Sequence, residues 1–341
     1  VKVALVEQSG AEGAPEKRAR MSRSPALPPS AAPAEGGAAA PAVPAASSRS
    51  LMSREVVRVV TPGTLVEGDL LDARTPNWLA ALVQDPRGGI GLAFIDATTG
   101  DFRCTQLEGE SAAARLLDEL ARLRPAELLY PEGAGEEPRR IAELREQVAA
   151  MDLPTLLMPY AAWRFDVDNA TRQILEHFGT LSLAAYGCEE LPSATSAAGA
   201  ALAYLAETQR SASRQVQGLS TYSPDAFLRL DAATRRNLEL SVTLRGDKRQ
   251  GTLLAVIDET RSALGGRRLR AWLEQPLRDL AAIEARLDAV AALAEDEPLR
   301  LGLRAAFGGL PDLERLMSRL LAGYGGPKEL QQLAAGMQVL P

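Results

Sequence analysis

The sequence predicts an α/β domain with a partly parallel sheet, followed by a region made of helices alone. Strand-like and helix-like segments alternate between residues 54 and 150, and amphipathic helical patterns fill the chain from Thr252 onward. Alternating strands and helices are typical of layered α/β folds. Aromatic residues make up only 4% of the 341 residues, so the cores must be mainly aliphatic, and Ala and Leu favour helices.

The N-terminal part divides into two short strands separated by a stretch of low complexity. Val1–Gln8 and Arg54–Val60 are rich in Val, and Pro62-Gly63 ends the second strand as a turn. Ser9–Ser50 is dominated by Ala, Pro, Ser and Gly and has no apolar periodicity, so we expect a disordered insertion. Its basic cluster between Lys17 and Arg23 is expected to be a solvated group of charges.

The elements of the α/β region follow from two different periodicities. Alternation and β-branched content predict strands, whereas apolar residues three and four positions apart predict helices. In chain order we predict a strand over Asn77–Val83, a hairpin over Gly91–Leu107 around Thr99-Gly100, a helix from Ser111 to Pro125, a strand over Glu127–Tyr130 closed by Pro131, a helix over Ile141–Ala150 and a helix over Ala194–Gln209.

Apolar stripes at helical spacing mark the C-terminal region. The stripes are Leu280, Ile283, Leu287, Val290 and Ala294, then Leu310, Leu313, Met317 and Leu320, then Leu330, Leu333, Met337 and Leu340. Spacing of this kind predicts helices that pack against other helices. We therefore expect an all-α helix bundle from Thr252 to Pro341.

Charge and composition limit the classes of function. The formal net charge is −6, without the basic excess of a domain that holds DNA by itself. Cys104, Cys188 and the single His177 form no metal-ligand pattern and are expected to be packing or surface residues. No apolar run approaches the roughly 20 residues that span a bilayer, and the first residues do not resemble a signal peptide. A reducing cytoplasm fits these features.

Motifs of nucleotide and hydrolytic sites are absent from the sequence. It has no Gly-x-x-x-x-Gly-Lys-Ser/Thr loop, no Gly-x-Gly-x-x-Gly and no nucleophile elbow. One enzymatic alternative remains, because Asp96 in a central strand and Asp101 across the turn suit a ribonuclease-H-like, two-magnesium nuclease. Asp118 and Glu119 fit it less well, since they lie on a surface helix. The competing interpretation, which turn chemistry favours, is that Asp96 or Asp101 caps the hairpin turn.

Many of these segments resemble members of the MutS family in order and spacing. The matching segments are Val1–Gln8, Arg54–Thr64, Gly91–Leu107, Leu120–Leu129, Leu230–Leu240, Leu253–Thr260, Leu264–Leu277, Ile283–Val290 and Leu310–Leu316. The resemblance implies that 1–8 and 51–64 are strands of the mismatch-binding domain and that 9–50 is an insertion. It implies a connector domain with a ribonuclease-H-like fold without nuclease activity over 65–210. The first part of the core or lever domain would follow over 211–341.

The same resemblance implies the function and its partners. In this family a dimer encircles DNA and recognises a mismatch, and ATP with magnesium converts it to a sliding clamp that recruits MutL. The chain would then be part of a longer bacterial, cytoplasmic and nucleoid-associated protein, an expectation that its first residue, Val1, supports. The family's mismatch-wedging Phe-x-Glu and its nucleotide site have no counterpart here, so no residue is assigned a catalytic, cofactor-binding or metal-binding role. The chain itself is not expected to be an enzyme.

Two further expectations concern the helices. Gly265-Gly266 is expected to loosen the start of its helix, since Gly costs about 1 kcal/mol relative to Ala there. The apolar stripes are expected to leave exposed apolar surface and a tendency to associate, which light scattering would test. A helical protein-interaction module without a repair role stays open as a third functional class.

Overall fold

A computed structural model describes residues 3–9, 53–67, 70–133, 136–245 and 248–339. Strands β1 (Val3–Ser9) and β2 (Ser53–Val60) pair in a two-stranded sheet, and a short 3-10 helix follows at Pro62–Thr64. The strand prediction for this part is confirmed over these ranges. Nearly all of the predicted disordered insertion, including its basic cluster, lies outside the described residues.

A six-stranded mixed sheet organises the α/β domain. Its strands are β3 (Trp78–Gln84), β4 (Ile90–Asp96), β5 (Phe102–Leu107), β6 (Glu127–Glu132), β7 (Leu156–Ala161) and β8 (Ser220–Thr221). Across the sheet the order is β7-β6-β3-β4-β5-β8. The pairs β3–β4 and β4–β5 are antiparallel, whereas β3–β6, β6–β7 and β5–β8 are parallel. The predicted partly parallel sheet is confirmed.

Helices cover both faces of this sheet because its central strands are apolar on both sides. The helices are α1 (Ala112–Leu123), α2 (Glu136–Ala149), α3 (Val167–Phe178), α4 (Pro192–Thr208) and the single turn α5 (Arg210–Ser213). Leu82, Leu92 and Phe94 pack with α1 and α2 on one face. Leu79 and Ile95 pack with α3 and α4 on the other. The domain therefore has three layers and two aliphatic cores.

Helix α4 is buried along nearly its whole length. It is rich in Ala, and every residue from Ser193 to Leu205 is buried. A Cβ at Gly91 would lie 1.9 Å from the carbonyl oxygen of Ser193, so the backbones of β4 and α4 approach directly. Only glycine permits this approach.

The remaining helices form the C-terminal region. They are α6 (Ala232–Asn237), α7 (Leu253–Ile257), α8 (Ala263–Glu274), α9 (Leu280–Glu295), α10 (Glu297–Gly308), α11 (Leu313–Leu321) and α12 (Pro327–Val339). Asp231, Thr252, Ser262, Asp279, Asp296 and Asp312 each accept a hydrogen bond from the first turn of the helix they precede. These side chains satisfy amide groups that a helix leaves free, which fixes where each helix begins.

Two sequence predictions need correction at their boundaries. Pro131 does not close its strand, since β6 continues to Glu132 and Pro131 pairs with Tyr160 of β7. This is tolerated because β3 pairs only with residues 127–129, so no neighbour on that side needs the missing amide. Helix α2 begins at Glu136, earlier than the predicted Ile141.

No helix in the described ranges is long and apolar enough to cross a membrane.

Candidate functional site: the junction between the sheet domain and the helices

The hairpin carboxylates do not form the nuclease site that the sequence left open. Asp96 is 1% exposed, and its oxygens accept hydrogen bonds from the amide of Asn77 (3.1 Å) and from the amide and hydroxyl of Thr98 (2.8 and 2.6 Å). Asp101 instead forms a bidentate ion pair with Arg103 (2.9 and 2.8 Å). Asp96 therefore caps the hairpin turn, as the competing interpretation predicted.

Burial raises the pKa of Asp96, although the hydrogen bonds from Thr98 and Asn77 and the charge of Arg315 act in the opposite direction. The carboxylate is thus held by donors of the protein itself. Within the described ranges, no three His, Cys, Asp or Glu side chains are grouped so as to hold a metal ion.

Arg315 of α11 connects the hairpin turn to the segment that precedes β3. Its Nε donates to the hydroxyl of Thr98 (3.2 Å), which in turn donates to Asp96. Its other two nitrogens donate to the carbonyl oxygens of Asp72 (3.0 Å) and Thr75 (2.8 Å). One buried guanidinium thereby fixes α11 against two loops of the sheet domain.

Arg267 of α8 makes the second contact with the same segment. It donates to the carbonyl oxygen of Ala73 (2.7 Å) and forms a bidentate ion pair with Asp312 (2.7 and 2.8 Å). Its Nη2 also donates to Glu314 (2.6 Å). Burial opposes the charge, but Asp312 and Glu314 raise the pKa of Arg267. Paired charges of this kind hold α8, α11 and the segment in one geometry.

Arg74 reaches out of the sheet domain in the opposite direction. Its guanidinium pairs with Asp258 (2.7 Å) and donates to the hydroxyl and carbonyl oxygens of Thr260 (2.9 and 3.0 Å). Arg249 also pairs with Asp258. Although burial acts against ionisation, the hydroxyl of Thr260 and the charge of Arg74 lower the pKa of Asp258 to about 2.

Gly266 has a packing role at this contact that the sequence did not reveal. A Cβ at Gly266 would lie 2.9 Å from Cγ of Arg74, closer than carbon atoms normally approach. The glycine therefore makes room for the Arg74 side chain at the start of α8. Gly265, by contrast, would place its Cβ 3.2 Å from the hydroxyl of Ser262. Whether the pair also loosens the helix stays a prediction.

A second set of contacts joins α1 to the segment that leads into α6. Asp118 accepts from Arg229 (2.9 Å) and from the amide of Ala232 (3.1 Å). Glu119 accepts from Arg122 and from the hydroxyl of Tyr222, both at 2.6 Å. Burial opposes the charge of Glu119, but Arg122 and Tyr222 lower its pKa. Both carboxylates of α1 therefore have structural roles.

The turn before the sheet domain is anchored by one buried carboxylate. Glu127, at the start of β6, is fully buried and accepts from the hydroxyls of Thr61 (2.5 Å) and Tyr204 (2.6 Å). It also accepts from the amide of Gly63 (3.2 Å). Three donors compensate the desolvation of one carboxylate, so the 3-10 turn is tied to both β6 and α4.

The histidine and cysteines predicted to be packing residues lie in the sheet domain. Cys104 and Cys188 are both fully buried in the core beneath α4. His177 forms a hydrogen bond between Nε2 and the carbonyl oxygen of Val216 (2.9 Å). All three side chains are accounted for by packing or by a local hydrogen bond.

The apolar stripes of the C-terminal helices are largely uncovered. Leu280, Leu287 and Val290 of α9 are 65%, 61% and 63% exposed, and neither α9 nor α10 contributes a buried residue. The predicted helices are confirmed, and neighbouring helices contact each other, since a Cβ at Gly336 of α12 would lie 2.7 Å from Cδ2 of Leu313 of α11. These contacts leave most of the α9 stripe uncovered in the described chain. The expected exposed apolar surface is present there, and association stays a prediction.

Two models of one protein family match successive parts of the chain. Residues 77–217 match the model of MutS domain II, and residues 233–341 match the model of MutS domain III. The chain is 43% identical over 294 residues to the DNA mismatch repair protein MutS of Symbiobacterium thermophilum, an alignment that covers 86% of this chain and 33% of that protein.

Other relatives carry the same name. The MutS protein of Anaeromyxobacter dehalogenans strain 2CP-C is 44% identical over 292 residues, with 85% of this chain and 32% of that protein covered. The protein of Salinibacter ruber is 38% identical over 298 residues, with 86% and 32% covered. The chain thus spans about a third of the length of these relatives. Because both domain models match in their order, the chain belongs to the MutS family through its domains II and III.

Proposed function

We propose that this chain is the connector and the first part of the lever of a DNA mismatch repair protein. In that protein it transmits movement between a mismatch reader, a DNA clamp and an ATPase. The observation that carries this proposal is the junction in which Arg315 and Arg267 hold one loop segment of the sheet domain. A junction made of directed, buried hydrogen bonds moves as a unit, so a rotation of the helices is passed to the sheet domain.

The strand order supports a ribonuclease-H-like connector. Three antiparallel strands, β5-β4-β3, continue into the parallel strands β6 and β7, with helices on both faces. The carboxylates of its first hairpin bind Thr98, Asn77 and Arg103, which supports a structural connector without nuclease activity. We propose that this chain supplies no catalytic group.

The partners follow from the names of the relatives and from the family resemblance. We propose mismatched double-stranded DNA and MutL as partners, in a homodimer that uses ATP and magnesium at a site outside this chain. A location in the bacterial cytoplasm, at the nucleoid, belongs to the same proposal. The exposed apolar residues of α9, α10 and α12 support an assembly in which other helices cover them.

A domain replacement tests the proposal. Residues 77–339 replace the homologous segment of the Symbiobacterium thermophilum protein, and the mutation rate is measured in a bacterial strain that lacks its own MutS. We expect the chimaera to restore a low mutation rate. We expect a chimaera with Arg315→Met to bind mismatched DNA but to respond less to ATP, because the junction is weakened.

The matched control is Arg319→Met, which removes an arginine from the same helix outside the junction. It should repair as well as the unmodified chimaera. A chimaera that is folded and binds mismatched DNA, yet leaves the mutation rate as high as in the strain without MutS, would contradict the proposed function. Equal ATP responses of the Arg315→Met and Arg319→Met chimaeras would contradict the role of the junction.

A further inference from the structure

A cleft with a volume of about 820 Å³ lies between the sheet domain and the helices, away from the Arg315 junction. On one side it is lined by the end of α1 and by residues 150–153, and on the other by α6 and residues 240–244. Sites for small molecules span roughly 300–1,000 Å³, so the cleft has the size of a small-molecule site.

The cleft is lined by four arginines. They are Arg122 and Arg124 at the end of α1, and Arg235 and Arg236 on α6. The lining also includes the two carboxylates of Asp152 and Glu274 and the apolar side chains of Leu240 and Val242. The lining therefore combines a basic rim with an apolar surface.

The carboxylates nearest to Arg235 are each bound to another arginine. Asp118 binds Arg229, Glu119 binds Arg122, and Glu274 binds Arg270 (3.1 Å). Arg235 itself is half-buried and donates to two neutral groups, the carbonyl oxygens of Leu230 (3.1 Å) and Glu274 (2.8 Å). In the described part of the chain, no carboxylate oxygen forms a hydrogen bond or ion pair with it.

This arrangement leaves a positive charge at the wall of the cleft. Burial first, and then the charge of Arg122, lower the pKa of Arg235, and the charges of Glu274, Glu119 and Asp118 offset this only in part. A partly buried cation without an ion pair is costly unless an anion approaches it. Arg236, at the next position of α6, is exposed and also lines the cleft.

We infer that this cleft binds a phosphorylated small molecule of nucleotide size, with its phosphates against Arg235 and Arg236. Phosphate oxygens match the planar donor fork of arginine. The apolar side chains of Leu240 and Val242 offer a surface to the uncharged part of such a ligand. The inference is independent of the proposed function, because it concerns a face that the Arg315 junction does not use.

Calorimetric titration of the 341-residue chain with ATP, and separately with inorganic pyrophosphate, tests the inference. We expect both probes to bind, ATP more tightly because its base contacts the apolar wall. Arg236→Gln should weaken both by about tenfold, because one charged hydrogen bond to phosphate is lost. Arg235→Lys keeps the charge but removes the fork, so it should weaken binding as well.

The control is Arg87→Gln, which removes an exposed arginine from the β3–β4 turn and leaves the cleft unchanged. Arg236 is exposed on a helix, so its replacement does not disturb the core, and circular dichroism verifies the fold of each variant. No binding of either probe at millimolar concentration would overturn the inference. Equal affinities of Arg236→Gln and Arg87→Gln would overturn it too, as would binding of a DNA oligonucleotide through Arg236 in place of ATP.

Discussion

The sheet domain and helices α9–α12 place similar aliphatic side chains in opposite environments. In the sheet domain Leu82, Leu92 and Ile95 are at most 2% exposed, between helices on both faces. On α9, Leu287 and Val290 are more than 60% exposed. Helices α8 and α11 contact the sheet domain through Arg267 and Arg315, which donate to its carbonyl oxygens. An apolar stripe therefore predicts a helix face that prefers burial, but it does not predict what covers that face.

The largest expected difference comes from removing one leucine in each region. Leu92→Ala should lower the free energy of unfolding by about 3–4 kcal/mol, because it leaves a cavity between the sheet and α1. Leu287→Ala should change it by about 0.5 kcal/mol or less, because the side chain is already in solvent. Urea denaturation of both variants measures this. Equal losses would mean that the stripe of α9 is covered in solution.

The junction should show an intermediate effect. Arg315→Met removes the donors that bind the carbonyl oxygens of Asp72 and Thr75, and buried acceptors without partners are costly. We expect a loss of about 2–3 kcal/mol in urea denaturation. Arg319→Met, on the same helix, breaks the more exposed ion pair with Glu329 and should cost about 0.5 kcal/mol. A larger loss for Arg319→Met than for Arg315→Met would contradict the attachment of α11 through Arg315.

Acid should weaken the Arg74 contact before it affects the aliphatic cores. The pKa of Asp258 is about 2 in the folded chain, against an ordinary value of 3.8. A lowered pKa stabilises the fold above about pH 4, and this contribution is lost as the pH falls from 4 towards 2. Between pH 4 and pH 2, we expect the free energy of unfolding of the wild type to fall by about 1–2 kcal/mol more than that of Asp258→Asn. Parallel pH profiles of stability for the two proteins would argue against a charged Asp258.

The smallest expected difference in stability is between alanine substitutions at two neighbouring glycines. Gly266→Ala should destabilise the chain by about 1 kcal/mol, because the new Cβ meets Cγ of Arg74. Gly265→Ala should be within about 0.5 kcal/mol of wild type, since the gain in helix propensity offsets the contact with Ser262. Thermal denaturation compares the two. If both substitutions stabilised the chain equally, Gly266 would act only on helix flexibility.

Much of the fold was predictable because local patterns determine it. The hairpin around Thr99-Gly100, helix α1 before Pro125 and the C-terminal helices follow from residue periodicity and turn residues. Strand β8, at Ser220–Thr221, is too short to carry a pattern, and β7 includes Pro159, which normally argues against a strand. Both form because an existing sheet edge accepts them, which depends on tertiary structure.

The junction was less predictable than the fold. The capping role of Asp96 followed from its position before a turn, but Arg315 lies 217 residues further along the chain than Thr98. No local pattern links residues so far apart. Leu310–Leu316 shows an apolar stripe and a resemblance to the family, but neither feature indicates that Arg315 contacts the sheet domain. The anchoring role of Glu127 was not predictable from the sequence either, since its partners come from the preceding turn and from α4.

The burial of α4 has a consequence for how the chain opens. A helix that is covered on all sides, and whose backbone touches that of β4, cannot detach without disassembling the sheet. Its amide hydrogens should therefore exchange with solvent only when the whole domain unfolds, whereas those of α9 should exchange through local opening. Exchange measured by mass spectrometry would then place the slowest peptides of the chain in a helix whose commonest residue is alanine. The small side chain of alanine allows neighbouring elements to surround the helix closely.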